Sequence, residues 1–204
     1  MDTAEKLFAR DGFDGASLRA ITTEAEVNLA AVNYHFKSKE ALLLAVFARH
    51  LHPVAEQRKA LLDAYLAEAC DNPLSLEPIL IAFIRPILEV GSRTLADNRM
   101  AAQCLMGRIY TAPFEFASNI FNENFKETVR QFRAAFQRAL PNLPAEEMLW
   151  RLHFTIGAMS HTLAGASLLK MISGGVCDTT DMARVERQLV AFTAAGLRAE
   201  VPKT

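Results

Sequence analysis

The chain has 204 residues, of which 51% are hydrophobic and 22% are charged. This composition is typical of a folded globular protein and excludes a largely disordered or low-complexity chain. Because the formal net charge is only −1, bulk charge does not indicate a nucleic-acid partner, and such a function has to be inferred from local patterns.

The sequence predicts helices almost throughout, because runs of alternating β-branched residues with the turns of hairpins are missing. The first predicted helix covers residues 2–10 and ends near Gly12, since glycine readily adopts the left-handed conformation that closes a helix. Ser17 and Asn28 are typical N-cap residues. We therefore expect two short helices, which begin after these two residues and end near residues 25 and 35.

A longer helix is expected after Ser38, a further N-cap residue. Pro53 lies within its pattern and predicts a kink or a break, because proline removes one backbone donor. Further helices are predicted at about 76–92, 98–108, 114–139, 145–172 and 180–197. The chain is thus predicted to be all-α, with about nine helices in two parts: a three-helix head (residues 1–50) and a helical body (residues 51–204).

Two short helices joined by a tight turn form a helix-turn-helix, a unit whose second helix enters the major groove of DNA. Val27, Val32 and Phe36 are predicted to face the core of the head. The other residues of the second helix then face outward, where small side chains allow close approach to base edges and Asn can pair with adenine. We expect base contacts from Leu29, Ala30, Ala31 and Asn33, and phosphate contacts from Tyr34, His35, Lys37 and Lys39.

The same region carries a specific series of motifs. Ser-Leu-Arg-Ala-Ile-Thr begins at Ser17, Ala-Glu-Val at Ala25, the stretch NLAAVNYHF at Asn28, and Ser-Lys-Glu at Ser38. In this order and spacing the motifs closely resemble the DNA-binding head of TetR-family transcriptional regulators. NLAAVNYHF resembles in particular the branch that contains fatty-acid-responsive regulators of the PsrA type, and residues 140–165 and 192–200 resemble the C-terminal domain of that branch.

The resemblance implies a homodimer in which each head binds one half of a near-palindromic operator in double-stranded DNA. The body is expected to bind an apolar or amphipathic effector, with a fatty acid or an acyl-CoA as the suspected class, and the chain is expected to act as a repressor. No cofactor is implied. The residues assigned to DNA binding, including those carried over by matching position, are Ser17, Arg19, Asn28, Leu29, Ala30, Ala31, Asn33, Tyr34, His35, Lys37 and Lys39.

The body is rich in methionine and aromatic residues, which either pack as an ordinary core or line an effector chamber. Arg108 is a candidate partner for a carboxylate head group, and a surface or helix-to-helix contact is the alternative. The residues assigned to the chamber are Gln103, Met106, Arg108, Tyr110, Phe114, Phe154 and Met159.

The last two predicted helices carry many small residues, which allow helices to approach each other closely. Together with the resemblance, this pattern predicts a dimer contact in the form of a four-helix bundle across a two-fold axis. Packing within one chain is the alternative. The residues assigned to the interface are Trp150, His153, Gly157, His161, Gly165, Phe192 and Gly196.

Two departures from the family pattern keep a second function open. The family usually has glycine in the turn where this chain has Glu26, whose carboxylate repels DNA, and it usually has a basic segment before the first helix. The alternative is therefore a dimeric helical protein that binds a lipid or another small molecule and has weak or no DNA binding. An enzyme is not expected, because the sequence has no Walker, GxGxxG or HExxH motif.

The three cysteines, Cys70, Cys104 and Cys177, lie far apart and outside any CxxC or Cys/His cluster. We therefore expect reduced thiols and no metal site. No apolar run is long enough to cross a membrane, and the first residues do not have the pattern of a secretory signal. The sequence predicts a cytoplasmic protein without a membrane partner.

Overall fold

The structure is a computed structural model that describes residues 1–70, 72, 75–93, 118 and 125–201. Over these residues the chain is built from nine α-helices and contains no strand, which confirms the all-α fold. The helices are α1 (Asp2–Gly15), α2 (Leu18–Glu24), α3 (Leu29–Phe36), α4 (Lys39–Ala69), α5 (Leu76–Arg93), α6 (Lys126–Ala139), α7 (Ala145–Ala164), α8 (Ala166–Ile172) and α9 (Met182–Arg198).

The three N-caps predicted for the head are confirmed. Ser17, Asn28 and Ser38 each accept a hydrogen bond from a backbone N–H two or three residues further on, at 3.0, 2.7 and 3.1 Å. Each such cap contributes about 1 kcal/mol to the stability of its helix. Gly12 has φ 77° and interrupts the helical geometry of α1, as predicted, but the helical turns resume and continue to Gly15.

The predicted break at Pro53 is not observed, because α4 runs on from Lys39 to Ala69. Proline removes one hydrogen bond from the helix, and this loss is offset by packing on both sides of the residue. Phe47 and Leu51 are buried before Pro53, and Val54 and Leu62 are buried after it. The division between head and body predicted at residue 50 lies within this helix.

The second half of the chain differs from the prediction in one described element. The helix expected at 145–172 is two helices, α7 and α8, which meet at Gly165. The helix expected at 98–108 lies outside the described residues, as does most of residues 114–124. None of the described helices is long and apolar enough to span a membrane.

The core of the body is organised around α5, which packs against α4, α6 and α9. Ile79 and Ile84 of α5 are completely buried. Phe83 of the same helix contacts Phe132 and Phe136 of α6, with ring centroids 5.2 and 6.4 Å apart. These aromatic pairs contribute beyond the burial of their area, so they fix α6 on α5.

Two ion pairs hold α9 on α5. Arg85 donates two hydrogen bonds to the carboxylate of Glu186, at 2.8 and 2.9 Å. Arg198 donates two to the carboxylate of Glu77, at 2.5 and 2.9 Å. The hydrogen bonds from Arg198 lower the pKa of Glu77 from 4.5 to about 2.

Arg151 of α7 closes the C-terminal end of α9. Its buried guanidinium donates to the backbone carbonyls of Leu197 at 2.9 Å and Ala199 at 2.7 Å. The last carbonyls of a helix have no partner within the helix, and a cation is favourable at this end. Arg151 therefore joins α7 to α9 by satisfying groups that are otherwise without a partner.

We expect the substitution Arg198→Gln to reduce stability and to flatten its dependence on pH. A carboxyl group whose pKa is lowered by folding stabilises the folded chain above its unfolded pKa, and this stabilisation is lost as the pH falls through the folded value. The relevant window runs from about 4.5 down to about 2. Because both side chains are nearly half exposed, solvent screening limits the effect at pH 7 to about 0.5–1 kcal/mol.

Urea unfolding of the wild type and of Arg198→Gln at pH 7, 4 and 2.5 measures this difference. Arg187→Gln is the matched control, since Arg187 is an exposed arginine on the same helix. A difference that stays constant across the window would contradict the role assigned to the pair.

Candidate nucleic-acid interface

The helix-turn-helix consists of α2, the turn at residues 25–28 and α3. Ile21 and Thr22 are buried and anchor α2 in the head. Only Val32 and Phe36 of α3 are half-buried and pack against the core, while every other residue of α3 is exposed. The residues predicted to face bases therefore share an outer surface: Leu29, Ala30, Ala31 and Asn33.

The turn between α2 and α3 depends on Glu26, whose φ of 54° places it in the left-handed region. Its N–H donates to the carbonyl of Thr23 at 3.3 Å, and the next N–H donates to the carbonyl of Thr22 at 3.0 Å. A side chain in this region costs about 1 kcal/mol. The predicted burial of Val27 is wrong, because this residue lies in the turn and not on the inner side of α3, and it is 49% exposed.

Three of the residues predicted to contact phosphate form a cluster at the end of α3. The Nζ of Lys37 lies 5.0 Å from the centre of the Tyr34 ring, and the rings of Tyr34 and His35 are in edge contact at 5.7 Å. All three side chains are exposed. The cluster thus presents a phenol hydroxyl, an imidazole and an ammonium group, which can all donate hydrogen bonds to an anion.

Lys39 is placed differently from the other predicted phosphate contacts. It is half-buried, its Nζ donates to the backbone carbonyl of Phe13 at 2.8 Å, and it lies 4.1 Å from the centre of the Phe13 ring. In the free chain this ammonium group therefore links α4 to the end of α1. Two of its three N–H donors remain for another acceptor.

The remaining predicted DNA contacts lie at the beginning of α2 and α3. Ser17, Arg19 and Asn28 are all exposed. Ser17 and Asn28 use an oxygen as the N-cap acceptor, and this leaves the hydroxyl hydrogen of Ser17 and the amide N–H groups of Asn28 as donors for other partners.

A buried ionisable pair that the sequence analysis missed lies behind this surface. Glu5 of α1 is fully buried, and its Oε2 is 2.9 Å from Nε2 of His50 on α4. Asp2 and Arg49 form a second ion pair between the same helices. The burial of Glu5 could have been predicted from its position, because it lies between the buried Ala4 and Leu7 on the inner side of α1.

The predicted interface residues of α7 lie along one outer stripe of that helix. Trp150, His153, Gly157 and His161 follow each other at steps of three or four residues, and all four are exposed. Phe192 of α9, which is 70% exposed, lines the same groove as His161. The outer faces of α7 and α9 therefore adjoin, and we name this surface the α7–α9 stripe: Leu149, Trp150, His153, Phe154, Gly157, His161, Phe192 and Gly196.

Two glycines of the stripe are not required by close packing against the described residues of the chain. Gly157 and Gly196 lie inside helices, where glycine costs about 1 kcal/mol relative to alanine. A Cβ atom added at either position meets nothing within 4 Å. Gly165 is different, because a Cβ there would lie 2.8 Å from the carbonyl oxygen of His161, so its glycine is explained by the junction of α7 and α8.

Two family models match the chain. The model described as bacterial regulatory proteins, tetR family, matches residues 1–46, and the model described as tetracyclin repressor-like, C-terminal domain, matches residues 81–196. The chain belongs to the TetR family. The first match contains the whole helix-turn-helix of this TetR-family chain, and the second contains most of the helical body and α9 as far as Gly196.

Individual relatives agree with this assignment. The HTH-type nicotine-responsive transcriptional repressor HdnoR of Paenarthrobacter nicotinovorans is 36% identical over 63 residues, which cover 31% of this chain and 32% of HdnoR. The matched part of the chain thus spans about a third of the length of HdnoR.

Solved structures share the fold of the TetR-family chain. PfmR from Thermus thermophilus, a TetR family transcriptional regulator, is 17% identical with a TM-score of 0.55, and the match covers 98% of both chains. A mutant of HlyIIR is 18% identical with a TM-score of 0.57, and the match covers 93% of this chain and 91% of that one.

Most of the predicted chamber of this TetR-family chain lies outside the described residues. Met159 is described and completely buried. Phe154 is not in the interior: it is 63% exposed and stacks on Trp150 of the α7–α9 stripe, with ring centroids 6.0 Å apart. Its assignment to the chamber is corrected accordingly, because it lies four residues after Trp150 on the same side of α7. The other predicted chamber residues lie outside the described part of the chain: Gln103, Met106, Arg108, Tyr110 and Phe114.

The described body of the TetR-family chain contains a buried cation that the sequence analysis did not single out. Arg58 of α4 donates from Nε to the carbonyl of Phe83 at 2.8 Å, and its guanidinium carbon lies 4.2 Å from the centre of that ring. Its Nη2 is 4.0 Å from the sulfur of Met159. The sequence held a signal, since Arg58 falls midway between Val54 and Leu62, two buried residues four positions away on either side.

No metal site accompanies these groups in the part of the chain that is described. Nowhere within it do three or more His, Cys, Asp or Glu side chains come together in a group that could hold an ion.

We expect Lys39→Met to destabilise the TetR-family chain by about 1–2 kcal/mol, because it removes a half-buried, charge-assisted hydrogen bond to the carbonyl of Phe13. Lys37→Met is the matched control two residues away, and its exposed side chain predicts a loss below about 0.5 kcal/mol. Urea unfolding followed by circular dichroism measures both. Equal losses in the two variants would show that the contact with Phe13 contributes nothing.

Proposed function

We propose that the chain is a DNA-binding transcriptional repressor of the bacterial cytoplasm whose affinity for its operator changes when a small molecule binds to the body. The observation that carries the proposal is the outer surface of α3, where Asn33 and small apolar side chains are exposed around the anchors Val32 and Phe36. Ligand-responsive repression is the activity for which HdnoR is named, and we infer the same mode of action here.

The side chains on this surface suit the major groove. Leu29, Ala30 and Ala31 are apolar, so they can contact thymine methyl groups, and the amide of Asn33 can bond to adenine in two places. The cluster at the end of α3 supplies donors for phosphate, which position the protein without reading sequence. Ser17, Arg19 and Asn28 extend the phosphate contacts along the starts of α2 and α3, and Lys39 adds a cation beside them.

The proposed repressor is a homodimer that joins through the α7–α9 stripe. Burial of its exposed aromatic side chains, Trp150, Phe154 and Phe192, against a second copy stabilises the proposed dimer. Gly157 and Gly196, which have no close neighbour among the described residues, would allow the helices of a second copy to approach closely. Each copy then contributes a head (residues 1–50) and a body (residues 51–204), and two heads related by a two-fold axis suit a near-palindromic operator.

We infer that the effector is apolar or amphipathic, and that it belongs to the fatty acid or acyl-CoA class. The motif NLAAVNYHF supports this class through its resemblance to the fatty-acid-responsive branch. The effector acts by favouring one of two arrangements of the heads, and its effect is limited by its difference in affinity for the two.

A second candidate function rests on Glu26. Its exposed carboxylate lies in the turn next to the proposed DNA surface, where it repels phosphate. A dimeric helical protein that binds a lipid but has lost DNA binding would have the same body and the same α7–α9 stripe.

Selection of binding sites from random duplexes separates the two functions. We expect enrichment of a sequence with two half-sites whose centres are about one helical turn apart. On that duplex, Lys37→Gln should weaken binding to all sequences and lower the slope of log K against log salt by about 1 per head, whereas Asn33→Ala should relax the preference at one base pair per half-site. Failure to enrich any duplex at low salt would leave the ligand-binding function as the better account.

The effector class is tested on the same complex. Oleate and oleoyl-CoA are expected to change the affinity for the selected duplex. Native mass spectrometry of the purified protein reports any co-purified lipid directly. A response to neither compound would contradict the proposed class without affecting the proposal for α3.

We expect Glu26→Gly to tighten binding to the selected duplex and to stabilise the fold. Removal of the carboxylate relieves its repulsion of DNA, an effect of less than about 1 kcal/mol at an exposed site, so the affinity should rise about two- to five-fold. Relief of the left-handed strain accounts for the stability. Glu26→Gln isolates the charge, and Glu68→Gln, at an exposed site far along α4, is the control. An unchanged or weaker affinity of Glu26→Gly in a gel-shift titration would count against this role of the turn.

A further inference from the structure

A groove of about 650 Å³ runs along one side of α9 and is also lined by residues of α7 and α8. From α9 it is lined by Met182, Val185, Leu189 and Phe192. These residues follow each other at steps of three or four, so they share one face of the helix. A cavity of this size falls within the range of small-molecule sites, which is about 300–1,000 Å³.

The lining of the groove is apolar surface that remains in contact with solvent. Leu168, Leu169 and Ile172 of α8 line it and are exposed, and Phe192 on its other side is 70% exposed. Removal of such surface from water by an apolar occupant is favourable. The groove therefore suits the hydrocarbon part of a ligand.

The apolar face of α9 indicates the length of that hydrocarbon part. The ten residues of helix from Met182 to Phe192 rise about 15 Å. An extended chain of roughly twelve carbon atoms covers this distance, because each C–C bond of about 1.5 Å advances a zigzag chain by a little less than its own length. A single unbranched chain of medium length thus matches the face.

Charged groups collect where α9 begins. Arg184 and Asp178 both line the groove, and Oδ1 of Asp178 accepts hydrogen bonds from the N–H and the hydroxyl of Thr180 at 2.9 and 2.7 Å. After these bonds, the nearby charge of Lys170 lowers the pKa of Asp178 further. Two cations thus accompany one acid that already has its donors. Arg184 is exposed, and no acceptor among the described residues bonds its guanidinium, so this end of the groove suits an anionic head group.

We propose that the groove binds a fatty carboxylate with one unbranched chain of about ten to fourteen carbon atoms, which lies along α9 with its head group at Arg184. The proposal rests on the proposed function and gives its effector a site among the described residues. Neither of the described residues first predicted for the chamber, Phe154 and Met159, lines this groove. His161 and Phe192 do line it and also belong to the α7–α9 stripe, so binding is linked to the proposed contact between two copies.

The head group is tested by calorimetric titration of the full chain with three ligands that share a twelve-carbon chain. We expect dodecanoate to bind more tightly than dodecan-1-ol, and dodecyltrimethylammonium to bind most weakly, all below the concentrations at which they form micelles. Arg184→Gln should weaken dodecanoate about three- to ten-fold and leave the alcohol unchanged, because the lost contact is an exposed charge pair. Arg187→Gln, an exposed arginine outside the groove, is the control. An unchanged affinity of Arg184→Gln for dodecanoate would overturn the proposed orientation.

Two cysteines of the chain report where the ligand binds. Cys177 is half-buried and lines the groove, whereas Cys70 is exposed and does not. Saturating dodecanoate should slow the alkylation of Cys177 by N-ethylmaleimide at least about five-fold, because the chain covers the thiol, and should leave Cys70 unaffected. Mass spectrometry of the peptides measures both rates. Binding of dodecanoate without protection of Cys177 would place the ligand elsewhere and overturn the site.

The apolar wall is tested by Leu169→Glu, which places a charge on the groove. We expect this variant to weaken dodecanoate and dodecan-1-ol alike, at least about ten-fold, because a carboxylate cannot be covered by a hydrocarbon chain without loss of its water. Leu169 is already exposed, so the helical content should stay that of the wild type. Val129→Glu, at an exposed apolar residue of α6, is the matched control. Equal affinities in Leu169→Glu and Val129→Glu would contradict the groove.

The selected duplex separates failure of this site from failure of the proposed function. Dodecanoate is expected to change the affinity of the wild type for the duplex, and Leu169→Glu is expected to remove this response. A response that survives in Leu169→Glu would overturn the groove as the effector site and leave the ligand-responsive repressor in place. Dodecanoate that protects Cys177 without any change in DNA affinity would support the site and contradict its link to the operator.

Discussion

One helix, α4, runs through the single hydrophobic core from the head into the body, and the relation of the head to the body depends on it. Its first half is buried in the head through Val46 and Phe47, and its second half is buried in the body through Val54 and Leu62. The contacts of α1 with Arg49 and His50 of α4 add the first helix to the same unit. The head and the body are therefore joined by one continuous helix and not by a loop, so a change in the body that moves α4 also moves the head.

Charged contacts attach α9 to the rest of the body, whereas its outer face presents an exposed apolar side chain. Arg85, Arg151 and Arg198 tie α9 to α5 and α7 through carboxylates and terminal carbonyls. These bonds fix the axis of α9 while Phe192 stays exposed. A surface that is rigid and apolar loses little conformational entropy when it is buried, which is the condition for a tight contact between two copies.

Local features of this fold could be predicted from the sequence, and contacts between distant residues could not. The caps at Ser17, Asn28 and Ser38 depend only on the next few residues, so the residue type at the cap position was sufficient to predict each of them. The pairing of Glu5 with His50, and of Arg151 with the end of α9, depends on the packing of helices that are far apart in the chain.

The assignment of Phe154 went wrong for a related reason. An aromatic residue fits a core and an interface equally well, and only its register with Trp150 distinguishes the two. The continuity of α4 through Pro53 was likewise set by buried neighbours on both sides, which outweigh a local preference. Pro53 nevertheless leaves the carbonyl of Arg49 without its N–H partner in the helix, so α4 resists bending least at this turn. The helix from Lys39 to Pro53 is a lever of roughly 20 Å, and a tilt of about 10° at its base moves its far end, next to α3, by roughly 3–4 Å.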